Sequence, residues 1–439
     1  MPSFALPASL AISALLLALQ SASQAPTAPK APPAPKAPAS PKAPAKPGSE
    51  QDGSASKSKT VRAAGFWYGV PKAPEKKKGA IRVAAYNVEN VFDGVDDPSL
   101  QGEYDDIKMT TKPGRLEAIA DAIRRLDADV LCIEEIEGLD CLKWFRDTYL
   151  KGMGYDHAIS EDVGYYRGVE QACLSRFPII SHATYVQEDL SDMDAKRVGS
   201  GWAGRKADQG AKFQRSPLRV DIDVDGYRLT LFSVHFKAGG REFSYHRESE
   251  ALQVMQFIDE ILAKDPAANV AVLGDFNASP SDKTPKVFAE AGMRGAYDFR
   301  GTKKGNTKDL YTTHDSGRAI DYVYMTKGMA DDVVDSSFFV LSTVHPASDY
   351  DWRKDPDKTK IPAGYASDHY PIAIDLMPKD RDGAGTGAAP GKAGGKDTGK
   401  GKGKGGAGKE SNPAAPGIGD GTSPAAEPKG VEPGRDDPD

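Results

Sequence analysis

The stretch NVAVLGDFN, Asn269 to Asn277, decides how the rest of the chain is read. After Asn269 it is an unbroken apolar run, Val270 to Leu273, the mark of a buried strand. It ends in Asp275 and Asn277, two residues apart, and side chains at that spacing share one face of a strand. The same punctuation recurs. Asn87 and Glu89 follow IRVAAY, His235 and Lys237 follow LTLFSV, and Glu135 closes VLCIEE. Asp321 lies inside AIDYVYM, where an unpaired carboxylate would cost several kcal/mol. Asp368 and His369 stand just before the last apolar run, PIAIDL.

Working outward, strand-like runs alternate with helical ones. Strands are expected at 81–88, 130–133, 171–174, 179–186, 218–224, 227–236, 269–273, 319–325, 338–344 and 371–376. The dipeptide Asp225-Gly226 between two of these runs is a hairpin signal. Helices are expected at 115–126, 243–262 and 284–291, each with apolar residues at helical spacing. This pattern predicts an α/β fold with a mixed sheet, or two sheets, flanked by helices. The polar stretch 187–217, with Trp202, Arg205 and Lys206, reads as a surface loop.

The ends differ from the middle. Of the 439 residues, 45 are Gly and 32 are Pro, concentrated at the two termini. Leu6 to Leu19 is an apolar run followed by small residues, as in a secretory signal ending near Ser23, although no Lys or Arg precedes it. We therefore expect a signal peptide at 1–23 and a secreted or periplasmic protein. An Ala/Pro/Lys-rich disordered linker is expected at 24–80, one large α/β domain at 81–378, and a Gly/Ala/Lys/Pro-rich disordered tail at 379–439. The net charge is −6, with 11 bases against 3 acids in 24–80 and 9 against 9 in 381–439, which leaves −14 for 81–380. So acidic a core weakens the case for tight binding to long DNA. Glycine without a three-residue period excludes collagen. No internal stretch is apolar for the roughly 18 residues of a membrane span. Of three cysteines, Cys132 and Cys173 sit in strand-like runs and read as buried hydrophobes; one disulfide is allowed, and no Cys/His spacing suggests zinc.

Any one of the polar residues could be a strand end meeting water, a capped turn or a satisfied structural histidine. Six such placements on one domain point to a shared site. Carboxylate and amide oxygens suit Mg²⁺, Mn²⁺ or Ca²⁺. Two histidines beside them suit charge stabilisation or proton transfer at phosphate, and so metal-assisted attack of water on a phosphoester.

In order along the chain, YNVENVFD, VLCIEEIEG, CLSRFPI, SVHFKAGG, VLGDFNASPSD, RAIDYVYM and ASDHYPI resemble the motifs of the endonuclease/exonuclease/phosphatase (DNase I-like) superfamily, in its bacterial exported branch. The resemblance covers about Ile81 to Leu376. It implies a four-layer α/β sandwich, two central mixed sheets covered by helices, and divalent-metal hydrolysis of phosphoesters. It makes Glu135 the principal metal ligand, with Asn87 and Glu89 at or near the metal. Asp275 would orient or deprotonate water, and Asn277 would hold the phosphate. His369 would donate to the phosphate, oriented by Asp321, with Asp368 as a second metal contact. His235 would contact the phosphate or protonate the leaving oxygen. Lys237, Arg247 and Arg215 are further candidates for phosphate contact; for Arg247, a surface arginine on an amphipathic helix is an equal reading.

The function expected is that of a secreted nuclease or phosphodiesterase, a monomer without membrane insertion. A phosphatase or phospholipase acting on inositol phosphates or sphingomyelin is the rival, and a non-catalytic scaffold is a third reading. The lipid reading ranks lower because only scattered Trp202 and Trp352 suggest an insertion surface.

Overall fold

The structure is a computed structural model that describes residues 61–378, apart from 192, 194–211, 302–307, 352–353 and 356–359. The expected signal segment, the tail, and the loop residues Trp202, Arg205, Lys206 and Trp352 lie outside the described residues.

The strands are β1 (Gly65–Phe66), β2 (Ile81–Val91), β3 (Val130–Ile136), β4 (His157–Ser160), β5 (Glu170–Ser175), β6 (Ile179–Ala183), β7 (Leu218–Val224), β8 (Tyr227–His235), β9 (Val270–Asp275), β10 (Arg294–Gly295), β11 (Asp321–Met325), β12 (Phe339–Val340), β13 (Val344–His345) and β14 (Ile372–Leu376). The helices are α1 (Asp106–Met109), α2 (Pro113–Leu126), α3 (Leu139–Tyr149), α4 (Ser244–Leu262), α5 (Lys283–Glu290) and α6 (Lys327–Asp331).

Two six-stranded mixed sheets form the centre, in the orders β12-β14-β2-β3-β5-β4 and β10-β11-β9-β8-β7-β6. Only β2–β3 and β8–β9 pair in parallel among these strands; the others are antiparallel. The inner faces pack as one apolar layer, with Val83, Cys132 and Ile374 from the first sheet against Val220, Leu231 and Leu273 from the second. Outside the first sheet, Ile119 and Ile123 of α2 and Leu142 and Phe145 of α3 cover Ala84, Leu131 and Ile133. Outside the second, Val254 and Ile258 of α4 and Phe288 of α5 cover Phe232, Val270 and Val272. This is the four-layer α/β sandwich expected.

Because β11 and β14 run antiparallel to β9 and β2, their N-terminal ends meet the C-terminal ends of β2, β3, β8 and β9. One edge of both sheets therefore receives every polar strand end that the sequence singles out. Asp321 stands opposite Asp275, and Asp275 opposite His235.

The structure differs from the sequence reading in four places. The fold begins before residue 81. Strand β1 pairs with β13, Val70 exchanges backbone hydrogen bonds with Val340 and Ser342 (both 2.8 Å), and Lys76 reaches Asp129 at 2.8 Å. Pro- and Lys-rich composition concealed this, because the segment's partners lie more than 50 residues away. The single strand expected at 338–344 is two short ones, β12 and β13, with different partners. Helix α3, of 11 residues, and the four-residue strand β4 were not anticipated. All three cysteines are buried and free, so no disulfide forms.

One glycine is required by the sandwich. Gly274 of β9 has φ +125°, and a Cβ there would lie 2.3 Å from the Val234 carbonyl oxygen and 2.6 Å from Glu134 Oε1. Glu134 is fully buried, and its Oε2 has no hydrogen-bond partner. The Glu134 side chain of the first sheet thus packs directly on the β9 backbone of the second. Gly274→Ala should destabilise the domain by at least about 1–3 kcal/mol, from overpacking and backbone strain together. Denaturant unfolding measures it; an unchanged midpoint would contradict the packing described.

Candidate active site

The polar strand ends are brought together by backbone irregularities. The β2–β3 register shifts between Asn87 and Val91, and the β3–β5 register shifts between Glu134 and Ile136. Bulges re-aim side chains and often sit beside active sites. Glu89, Asn90, Glu135 and Asn277 take left-handed φ values of 55°, 58°, 67° and 49°. Such conformations cost free energy in non-glycine residues and persist only where surrounding contacts impose them. At Glu134–Glu135 the outcome is visible: Glu134 is enclosed between the sheets, while Glu135 reaches the rim, 9% exposed.

Asp275, 1% exposed, is the hub. Its Oδ1 accepts the Asn277 backbone N–H at 2.7 Å. Its Oδ2 accepts the side-chain amides of Asn277 at 3.1 Å and Asn87 at 3.3 Å. Two imidazoles converge on that oxygen, His235 Nε2 at 3.3 Å and His369 Nε2 at 3.6 Å. Behind His369, Asp321 accepts from Nδ1 at 3.0 Å, which fixes the ring and leaves Nε2 facing the hub. His235 Nδ1 lies 3.7 Å from Glu135 Oε1 and has no hydrogen-bond partner.

The two histidines carry different charges. Burial lowers the His369 pKa, but Asp321 and Asp275 outweigh it and hold the imidazole well above its usual value. His235 is driven well below its usual value by burial and by Arg215, His369, Arg167 and Lys237 around it. Two acids flank His235, yet several cations and full burial oppose a second positive charge, so His235 is neutral and His369 cationic. Of the two histidines expected to serve charge stabilisation or proton transfer, the structure supports His369 as the cation. Burial pushes Asp275 up to about 6, with His369 opposing and Asp321 adding to the shift.

The other expected residues make the following contacts. Glu89 Oε2 accepts the Tyr365 hydroxyl at 2.8 Å and the Asp368 N–H at 3.2 Å, tying the turn that bears His369 to β2. Asp368 lies 3.5 Å from His314 Nε2. Arg247 is buried rather than on the surface: it is 5% exposed and donates to the carbonyls of Lys237 (3.0 Å), Gly239 (2.9 Å) and Gly240 (3.2 Å). Arg215 likewise donates to the carbonyls of His235 (3.2 Å) and Phe236 (2.9 Å). Both guanidinium groups hold the loop after β8 in shape. Lys237 Nζ lies over the Phe243 ring at 4.2 Å, and its backbone N–H donates to buried Glu250 at 2.7 Å.

Three contributors escaped the sequence reading. Arg167 donates to Asn90 Oδ1 at 2.6 Å, and its charge is stabilised by neighbouring Glu135. Arg115 donates to the carbonyls of Val88, Glu89 and Ala366, bracing both halves of the rim. His314 packs edge-on to His369 with ring centres 4.7 Å apart. None sits at a strand end after an apolar run, so no local pattern marks them.

A hard divalent cation fits the rim. Glu135 supplies a carboxylate and Asn87 an amide oxygen, the oxygen donors such ions prefer. Among the described residues, Asp275, Asp321 and His369 also bring ligand atoms within 4.8 Å of one another, as do His314, Asp368 and His369. Glu135 belongs to neither group, so the acidic rim and the histidine hub are neighbours, not one cluster.

The sequence model of the Endonuclease/Exonuclease/phosphatase family matches residues 86–369. No curated protein matches the chain. Among solved structures it is similar to the human Nocturnin catalytic domain with bound sulfate, at 19% identity over 71% of this chain and 96% of that one, TM-score 0.42. It is similar to an endonuclease/exonuclease/phosphatase family protein from Bacteroides thetaiotaomicron at 19% identity, over 68% and 97% of the two chains, TM-score 0.44. A mannosyl-6-phosphatase from the same organism matches at 17% identity, over 67% and 99%, TM-score 0.42.

Proposed function

The chain belongs to the endonuclease/exonuclease/phosphatase family, and from that premise we propose that it is an exported, divalent-metal-dependent phosphodiesterase that cleaves nucleic acid. The observation that carries the reading is the pair of imidazoles that converge on one oxygen of Asp275, at 3.3 and 3.6 Å. A phosphodiester needs negative charge offset at the phosphate, a base for water and a proton for a poor leaving group. Cationic His369, held by Asp321, supplies positive charge and a proton. Asp275, when ionised, accepts the proton of water. Neutral His235 donates a hydrogen bond to the phosphate, and Asn277 holds it in place. Glu135 and Asn87 would hold the metal, with Glu89 anchoring the turn beside them. A divalent cation bound there supplies Lewis-acid stabilisation of the charge developing on phosphate. Arg167 adds a positive charge beside Glu135. Export rests on the Leu6–Leu19 run, and the Lys-rich residues 24–80 offset the acidic core near a polyanion.

Plasmid nicking with Mg²⁺, with EDTA, and with the Glu135→Gln variant tests the proposal. Metal-dependent nicking abolished by both EDTA and Glu135→Gln supports it. Absence of DNA and RNA cleavage would sink it, and release of inorganic phosphate from monoesters or turnover of sphingomyelin would reassign the substrate.

The charge states predict the pH profile. Asp275 acts as a base only when ionised, so kcat/KM should fall as pH drops through about 6, or lower where the metal stabilises the carboxylate. His369 acts as a cation, so the alkaline limb should lie above the usual histidine range. Asp321→Asn removes the neighbour that raises His369 and should move the alkaline limb to lower pH. An unmoved limb would detach His369 from the profile.

A further inference from the structure

The stretch from Asp93 to Asp106, DGVDDPSLQGEYDD, holds six acidic residues and no basic one. None of them belongs to the hub around Asp275. The two ends of the stretch fold back beside the end of β3, next to the first turn of α3. There Asp93, Glu137 and Cys141 bring ligand atoms within 4.8 Å of one another, a group that includes neither Glu135 nor Asp275. The Asp93 N–H donates to Glu137 Oε2 at 2.8 Å, and the Glu137 N–H donates to the Val91 carbonyl at 3.0 Å.

Asp106 provides an independent observation. Its side chain is completely buried and presses its carboxyl on Glu137. Oδ2 accepts the Asp97 N–H at 2.9 Å, but Oδ1 accepts no hydrogen bond. A buried carboxylate oxygen with no donor, set against two more carboxyls, is unfavourable unless positive charge comes between them. No Lys or Arg is paired with Asp93, Asp106 or Glu137 among the described ion pairs. The Cys141 thiol is turned elsewhere, toward the Val91 carbonyl at 3.8 Å, and a thiol is a poor partner for a hard cation. Glu137 is only half-buried, which leaves a way in from solvent.

We propose that Asp93, Asp106 and Glu137 form a second cation site, which takes Ca²⁺ and pins the acidic stretch 93–106 to the end of β3. Asp93 and Asp106 bracket one largely irregular stretch, from just past β2 to the first residue of α1, and a flexible carboxylate cage suits Ca²⁺ better than the strict octahedron of Mg²⁺. The site is separate from the one proposed at Glu135 and stands whether or not that one cleaves nucleic acid. Since Asp93 lies two residues past the end of β2, the ion would order the loop beside Asn87 and Glu89.

Equilibrium dialysis against Ca²⁺ and calorimetry on EDTA-stripped protein test this, in a Glu135→Gln background that removes the principal ligand at the rim. One Ca²⁺ per chain should remain in Glu135→Gln and be lost when Asp106→Asn is added. At about 100-fold excess over Kd, Ca²⁺ should raise the Tm of Glu135→Gln by about 5 °C and leave the double variant unmoved. If far-UV circular dichroism shows that Asp106→Asn has not folded, Asp93→Asn replaces it with the same expectation. No Ca²⁺ bound by Glu135→Gln, or equal binding with and without Asp106, would overturn the proposal and leave the three carboxyls sharing protons instead.

Discussion

Asp275→Asn should lower metal-dependent kcat/KM by about 10²–10⁴-fold, the span of a lost general base, while leaving the fold intact. The substitution keeps size and shape but places an amide where a carboxylate receives donors. Asn277 and Asn87 donate to Oδ2 at 3.1 and 3.3 Å, the Asn277 N–H donates to Oδ1 at 2.7 Å, and two imidazole nitrogens lie near Oδ2. An amide satisfies part of that set and accepts no proton from water. It also removes the negative charge that helps keep His369 cationic. The base and the cation are therefore coupled, and His369→Ala added to Asp275→Asn should cost much less than the product of the single losses. A chromogenic phosphodiester measures both variants. A single-variant loss under tenfold, or full multiplicativity, would show that Asp275 and His369 do not act as a unit.

Arg82→Met should destabilise the domain by about 3–5 kcal/mol, because it leaves a buried carboxylate without its partner. Arg82 is 1% exposed and Asp375 3%, on paired positions of β2 and β14. The guanidinium meets the carboxylate through two bonds, Nε to Oδ1 at 2.7 Å and Nη2 to Oδ2 at 3.0 Å. It also donates to the Leu126 carbonyl at 2.9 Å and the Pro74 carbonyl at 2.7 Å, which fastens the segment before β2 to the sheet. Replacing both members, Arg82→Met with Asp375→Leu, should recover most of the loss, since well-packed apolar residues often match a buried ion pair. The two carbonyls stay unsatisfied, so recovery should fall short of wild type. Urea unfolding of the three variants measures this; a single variant as stable as wild type would mean that Asp375 finds another partner.

Much of the fold was legible because its signals are local. An apolar run such as VAVLG declares a buried strand through its own side chains, and Asp225-Gly226 declares a hairpin through its backbone preferences. Asn87, Glu135, His235, Asp275, Asn277, Asp321 and His369 were legible as polar groups at or beside strand-like runs. The first residues of the fold, 61–80, were not, because what holds them is pairing with residues such as Val340 and Asp129, and composition carries no trace of a distant partner.

The sequence by itself determined the α/β class, the family, and the residue types that converge. Only the tertiary structure decided that β2, β3 and β14 of one sheet and β8, β9 and β11 of the other open onto the same edge. Only it decided that Arg247 and Arg215 brace a loop, that Arg167 stands beside Glu135, and that His369 is charged while His235 is not. The reason is physical. Strand periodicity is set by neighbours along the chain, whereas a pKa is set by burial and by charges arriving from other elements, and those exist only once the sheets have packed.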